Sequence, residues 1–302
     1  MVSILIPTYN YDCSPLVGDL QRQAAELQAE EGEGFGYEIL VFDDGSCAEH
    51  LERLRRGVET LPHCHVLTLG KNVGQAQGRN ILVDAAHYDW CLLIDSDAAV
   101  CTEDFLHQYW EARHAADAVC GALRNPEMAN CRGHELRYKY ETAAERRRTA
   151  AYRNRHPYEQ FTAFNCMIRK SVFDTLRFDE KCREYGYEDA LMGLQLREHG
   201  FTILHTDNAL IHTGIDTNEA FLRKTDAALR TLQRLGEPMQ GAAGPSRIYK
   251  RLRQLHIAHL AAAGFGILKP LLRRNLLSGH PSLFLFNVYK LGYYCQLQRT
   301  ER

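Results

Sequence analysis

The chain has 302 residues, 45% hydrophobic and 25% charged, with a formal net charge of −2. These values exclude a disordered or fibrous chain and suit one large globular domain, or one domain with an extension. The charge is unevenly placed. From Pro245 onward ten Lys or Arg face the single acid Glu301, so the preceding part is acidic.

The first half reads as alternating strand and helix. Val2–Ile6 is a short apolar run closed by Pro7, and Leu16–Glu30 has helical periodicity. Tyr37–Phe42 is a second strand, followed by a helix over Ala48–Val58 with Ser46 as its expected N-cap. His65–Leu69, Ala76–Ala86 and Trp90–Ile94 continue the alternation as strand, helix and strand. Such a pattern predicts an α/β fold with a mostly parallel sheet covered on both faces. Ala118–Leu123 is a further strand. Residues 132–160 are polar, with Arg146, Arg147, Arg148, Arg153 and Arg155, and read as a surface helix or loop. Phe161–Ile168 is apolar, Ala190–His199 is a helix closed by Gly200, and Phe201–His205 and Ala209–His212 are two short strands. From Glu219 the pattern is helical. Arg247–Arg274 and Ser282–Gln298 read as amphipathic helices split by Pro270 and by Gly279-His280-Pro281.

Ten cysteines lack C-x-x-C spacing, so neither a zinc knuckle nor a redox pair is supported. With a strand expected from Val2 and no leader before it, a reducing cytoplasm is the natural compartment. The longest apolar stretch, Ile257–Leu268, is too short to span a bilayer.

Chemistry gathers at the ends of the strands. Leu92-Leu93-Ile94 runs into Asp95-Ser96-Asp97, and Val41-Phe42 into Asp43-Asp44. Burying two acids costs several kcal/mol unless a cation or donors compensate. Acids so placed suit Mg²⁺ or Mn²⁺ shared with a diphosphate. In parallel sheets, ligands bind beyond the carboxyl ends of the strands. Thr8-Tyr9-Asn10 falls at the same edge.

In their order and spacing these motifs resemble glycosyltransferase family 2, inverting metal-dependent enzymes of the GT-A fold. The resemblance covers about Val2 to Gly214. It is carried by Ser3–Asn10, Val41–Ser46, Asn72-Val73-Gly74, Gly78-Arg79-Asn80, Asp95-Ser96-Asp97, Phe164-Asn165, Phe178-Asp179-Glu180, Tyr187-Glu188-Asp189 and His212. It implies a GT-A catalytic domain over 1–218, with a nucleotide-binding half (1–123) and an acceptor-binding half (124–218), and a basic helical extension over 219–302. It further implies Pro7, Thr8, Tyr9, Asn10, Asp44, Arg79, Asp95 and Ser96 at the nucleotide sugar, with Asp44 accepting from uracil N3–H. Asp97, Asp95 and His212 are the implied ligands of Mn²⁺ or Mg²⁺. Asp189 is the implied general base, with Glu188 and Asn165 at the acceptor. Each residue also has a plain alternative: Asp43 and Asp44 as helix caps, Arg79 as a solvated helix residue, His212 as structural, and Glu188 and Asp189 as acids in a helix's first turn. Thr162-Ala163-Phe164 replaces the glycines common in this family and narrows the space beside the donor sugar.

The implied function is transfer of a sugar, hexose or N-acetylhexosamine, from a nucleotide-diphosphate sugar to a hydroxyl of a glycan or lipid-linked acceptor, in surface polysaccharide synthesis. No nucleic-acid partner is expected. Two other readings of the same residues stand beside it: an aspartyl-nucleophile phosphatase using Asp95, and a non-catalytic nucleotide-sugar-binding protein. For the basic tail over 245–302 three roles are open: a helix in the interface of an anionic membrane, a subdomain packed on the core, or a homodimer contact.

Overall fold

In the computed structural model, which describes residues 1–300 except 147, 183, 184, 237, 238, 240 and 242, strand and helix alternate as the periodicity predicts. β1 (Val2–Thr8), β2 (Tyr37–Asp43), β3 (Cys64–Thr68) and β4 (Trp90–Ile94) are joined by α1 (Ser14–Glu31), α2 (Ala48–Val58) and α3 (Gln75–Ala85). Then follow β5 (Ala98–Val100), α4 (Phe105–Ala112), β6 (Ala118–Arg124), α5 (Glu135–Glu145), α6 (Ala150–Arg155), β7 (Asn165–Arg169), α7 (Glu188–Glu198) and β8 (Ile203–His212). The chain ends in α8 (Asn218–Leu235), α9 (Gly244–Gln254), α10 (Ala258–Leu276) and α11 (Leu283–Thr300).

All eight strands form one sheet in the order β3-β2-β1-β4-β7-β6-β8-β5. β3, β2, β1 and β4 are parallel, as are β6 and β8, whereas β7 runs against both its neighbours and β5 against β8. Successive side chains of a strand point to opposite faces. Leu5, Leu40 and Leu93 enter one apolar core, while Ile4, Ile6, Ile39, Val41 and Leu92 enter the other. Burial on both faces explains why these strands read as unbroken apolar runs.

Register then sets the site. Thr8 pairs with Asp43 and Leu5 with Leu93, so the acidic ends of β1, β2 and β4 come level on one rim. β5 turns back from that rim and pairs with β8, setting Ala98 opposite His212.

Several boundaries differ from the sequence reading. The two strands expected over 201–212 are one, β8. Ser46 is not the N-cap of α2; Cys47 takes that position without a side-chain bond, and the Ser46 hydroxyl accepts from Asn10 N–H at 2.7 Å instead. Within the polar segment, Arg153 is buried rather than solvated, donating to the Gly121 carbonyl at 2.7 Å and the Thr206 carbonyl at 2.6 Å. Arg147 lies outside the described residues. Pro270 sits inside α10 and does not end it. The break falls at 255–257, where His256 adopts a left-handed φ of 57°. There His256 N–H donates to Arg253 O and Ile257 N–H to Leu252 O, a Schellman cap with histidine in the place glycine usually fills.

Asn165, expected at the acceptor, is fully buried instead. Its oxygen accepts from the Tyr109 hydroxyl at 2.6 Å. Its nitrogen donates to Ala122 O at 3.1 Å and Asn208 O at 2.9 Å, so one carboxamide ties β7 to β6, β8 and α4. Buried carbonyls left without a donor cost about 1–3 kcal/mol each. Asn165→Ala should therefore lower stability by roughly 2–4 kcal/mol in urea unfolding, while the folded fraction keeps its nucleotide affinity. Unchanged stability with weakened acceptor use would restore the acceptor role.

Candidate active site

The rim encloses a cavity of about 440 Å³, lined by Pro7, Thr8 and Tyr9 at the end of β1, Asp95–Asp97 after β4, and Glu188 and Asp189 opening α7, among others. Asp44, Arg79 and His212 line it as well. Asn10 is absent from the lining. It is exposed, with φ 48°, and its side-chain oxygen accepts from Cys47 N–H at 3.0 Å, tying the β1 turn to the start of α2.

Asp44 holds the start of α3. Its two oxygens accept from Val73 N–H at 2.6 Å and Gly74 N–H at 3.0 Å, which satisfies donors at the positive end of the helix. Gly74, with φ 90°, is the N-cap there and makes that turn without strain. Burial nevertheless pushes the Asp44 carboxyl up. Each oxygen keeps a lone pair for a further donor.

Five residues into α3 stands Arg79, 1% exposed and not solvated as its plain reading has it. Its guanidinium reaches Asp95 at 2.7 Å, Asp189 at 3.3 Å and Glu188 at 3.8 Å, and lies 5.3 Å from the Phe178 ring centroid. The fork of donors on a fixed plane suits several carboxylates at once. Burial works against this cation, but the charges of Asp95, Asp189 and Glu188 hold it firmly protonated.

Glu188 and Asp189 differ although adjacent. Asp189 Oδ2 accepts from Thr162 Oγ1 at 2.9 Å and from Ala163 N–H at 3.1 Å, and Oδ1 from Arg79. Glu188 Oε2 is buried without a partner. Burial first, and the Asp189 charge second, push the Glu188 carboxyl up to about 7. The Gln75 carboxamide is satisfied on both sides only with its nitrogen 3.1 Å from Glu188 Oε1 and its oxygen 2.8 Å from Arg79. Both acids are aimed by an unusual turn: Gly186 at φ 101° and Tyr187 at φ 68° precede α7. A non-glycine residue in the left-handed region is strain of the kind that collects at functional sites.

At the other end, Asp97 Oδ2 lies 3.1 Å from His212 Nε2, and His212 Nδ1 lies 2.8 Å from Glu141 Oε2 on α5. Glu141 is paired in turn with Arg137. Burial opposes the imidazolium, yet hydrogen bonds to Asp97 and Glu141 push His212 up to about 9. Burial also raises Asp97, but His212 outweighs it and holds the carboxyl below its usual range. Among the described residues no three His, Cys or acidic side chains form a ready cage for a metal. The donors nonetheless fit a hard divalent ion completed by substrate oxygens. Asp97 faces the cavity, and Gly214 leaves room that a Cβ would close, 2.3 Å from Asp97 Oδ2. Glu141 would fix the tautomer of a metal-bound His212 in the manner of a carboxylate–histidine support.

Residues 3–177 match the family model described as Glycosyl transferase family 2. The chain belongs to that family. No curated protein matches its sequence. Among solved structures, the mannosyltransferase PcManGT from Pyrobaculum calidifontis, in complex with GDP-Man and Mn²⁺, is 15% identical with a TM-score of 0.53. That match covers 99% of this chain and 86% of that one. TarS 1-349 from S. aureus, in complex with UDP-GlcNAc, is 15% identical with a TM-score of 0.51, over 100% of this chain and 92% of that one. The mannosyl-3-phosphoglycerate synthase from Rubrobacter xylanophilus is 16% identical with a TM-score of 0.52, over 78% and 74%. At these identities the likeness shows the fold, which is GT-A with added C-terminal helices.

The sequence reading missed four contributors: Gln75, Glu141, Arg137 and Thr162. Thr162 left a trace, since a hydroxyl replaces a glycine of the family pattern, and it serves here to hold Asp189. Glu141 left none, because an acid four residues after Arg137 on a polar helix reads as a surface pair. Removing one partner from a buried charge cluster costs about 3–5 kcal/mol. Arg79→Met should therefore lower stability by roughly that amount in urea unfolding, with Arg79→Lys intermediate. A variant as stable as the wild type would show that these carboxylates are not held by this cation.

Proposed function

We propose that the chain is an inverting glycosyltransferase that moves a hexose or N-acetylhexosamine from a nucleotide-diphosphate sugar, UDP-linked, to a hydroxyl of a glycan or lipid-linked acceptor. The observation that carries this reading is the meeting of Asp44, Asp95, Asp97 and Asp189 around one cavity, with Asp189 oriented by three donors. Asp189 takes the proton of the acceptor hydroxyl as its oxygen bonds to the anomeric carbon. The bond to the leaving diphosphate breaks on the opposite face, and the electron pair stays with the diphosphate. One displacement with a single base inverts the anomeric centre. Thr8, Tyr9 and Ser96 are the nucleotide contacts in this reading, and Asp44 offers its remaining lone pairs to a base imide N–H.

Asp97, Asp95 and His212 would hold Mn²⁺ or Mg²⁺, whose charge balances the departing diphosphate. That the mannosyltransferase neighbour was solved with Mn²⁺ supports a divalent ion. A GDP-linked and a UDP-linked sugar occupy two of the neighbours, so the choice of UDP rests on Asp44 alone.

A second cavity of about 400 Å³ shares Glu188 and Asp189 with the first and opens between α5, α8 and α11. Its walls carry Tyr140, Phe221 and Phe286 with the cations Arg148 and Lys290. The cations suit an anionic acceptor such as a lipid-linked diphosphate. In this reading the reaction belongs to surface polysaccharide synthesis at the cytoplasmic face of a membrane.

Asp189→Asn should reduce kcat by about 10²–10⁴-fold while the donor affinity stays within a few fold. Equal losses in donor affinity would move Asp189 from base to donor binding. In thermal-shift titrations with UDP- and GDP-sugars, one nucleotide should raise Tm only with Mn²⁺ present, and chelation should abolish the rise. A rise indifferent to chelation would remove the metal from donor binding.

A further inference from the structure

Among the described residues fifteen large apolar side chains are exposed, and nine of them lie between Ile248 and Phe284. They concentrate on α10, a helix with two apolar faces. Ala262, Phe265, Leu272 and Leu276 face inward, where the last three join a core with Phe286 and Tyr289 of α11. Leu260, Ile267, Leu268 and Leu271, at i, i+7, i+8 and i+11, form the opposite face, with Ile267 79% and Leu271 65% exposed. Leu255 in the turn before α10 and Phe284 at the start of α11 are exposed by 66% and 73%. A helix apolar all round is one that expects cover on both sides. The protein's own core supplies only one.

The charge beside this face says what supplies the other. No Asp or Glu occurs from Pro245 to Thr300, and Lys250, Arg251 and Arg253 of α9 and Arg274 of α10 are exposed. None of these four enters a salt bridge among the described residues. A second copy docked by a two-fold axis would bring this positive strip against itself, since such a contact uses the same patch on both sides. Nucleic acid would answer the cations but leave the apolar stripe in water. An anionic bilayer answers both, because acyl chains take the stripe and lipid headgroups take the cations. No helix among the described residues is long and apolar enough to cross a membrane, so insertion parallel to the surface is the mode that remains.

We infer that the outer face of α10, flanked by the basic α9, docks the protein on an anionic lipid surface, with Leu260, Ile267, Leu268 and Leu271 at the level of the acyl chains. This depends on the helices alone and stands whether or not the transferase reading holds.

The test is co-flotation of the full chain with vesicles of phosphatidylcholine alone or mixed with phosphatidylglycerol. Wild type should float with the mixed vesicles and lose binding as salt is raised. Lys250→Glu/Arg251→Glu should weaken binding by roughly tenfold or more, given about 1 kcal/mol per basic residue near the surface. Ile267→Ser/Leu271→Ser should abolish it, with circular dichroism unchanged and donor-dependent thermal shifts retained. Wild type that stays in the buffer fraction at low salt overturns the inference. So does binding that ignores both double variants. A wild-type dimer in light scattering that Ile267→Ser/Leu271→Ser converts to monomer would overturn it in favour of a second copy.

Discussion

The site depends on one buried cation. Asp95 comes from the end of β4, and Glu188 and Asp189 from the first turn of α7, about ninety residues later in the chain. Held this close without compensation, three carboxylates would repel one another and resist burial. The Arg79 guanidinium lies within 3.8 Å of all three. Arginine's own placement is inherited from Asp44, which fixes the first turn of α3 through Val73 and Gly74 N–H. A residue expected to read the nucleotide thus also aims, through one helix, the cation that gathers Asp95, Glu188 and Asp189. Changes at Asp44 and Arg79 should not be additive for this reason, since they belong to one connected network.

A second chain of charges runs the other way. Asp97, His212, Glu141 and Arg137 alternate acid and base from the cavity to α5. Arg137 ends it 4.7 Å from the Phe221 ring centroid on α8, whose ring joins the core under α10 and α11. The C-terminal helices are therefore part of what holds the acidic rim. Their inner faces support the site, and their outer face is free for other work.

What was legible in the sequence follows from which interactions are local. Parallel strands buried on both faces announce themselves as apolar runs, so β2 and β4 were readable almost to the residue. Acids that end such runs are costly to bury without a partner, and the rim was legible from Asp44, Asp95 and Asp97. Contacts made across the fold were not. The burial of Arg153 and Asn165 depends on β6 and β8 closing around them, and nothing in a polar or apolar window records that. Helix ends failed where an unusual residue did the usual job. His256 takes the left-handed position that glycine signals, so no residue type marks that break, whereas Pro270 resembles a breaker that α10 in fact accommodates. Ser46 looked like a cap because its hydroxyl was needed, but by Asn10 across a turn rather than by its own helix.

The contrast between the two adjacent acids of α7 bears directly on which of them does the chemistry. Three donors meet the Asp189 carboxylate, two of them from the Thr162-Ala163 segment, the Thr162 hydroxyl and the Ala163 backbone N–H. Glu188, one residue earlier on the same turn, is buried with one oxygen unpartnered and holds its proton up to about pH 7. The base proposed above needs an oriented oxygen, and Thr162, Ala163 and Arg79 orient the carboxylate of Asp189. In its protonated form Glu188 beside it can donate a hydrogen bond without adding a fourth charge to a pocket that already holds Asp95 and Asp97. The departure from glycine at 162–164 then has a physical reason: the Thr162 hydroxyl on the cavity wall fixes the Asp189 carboxylate.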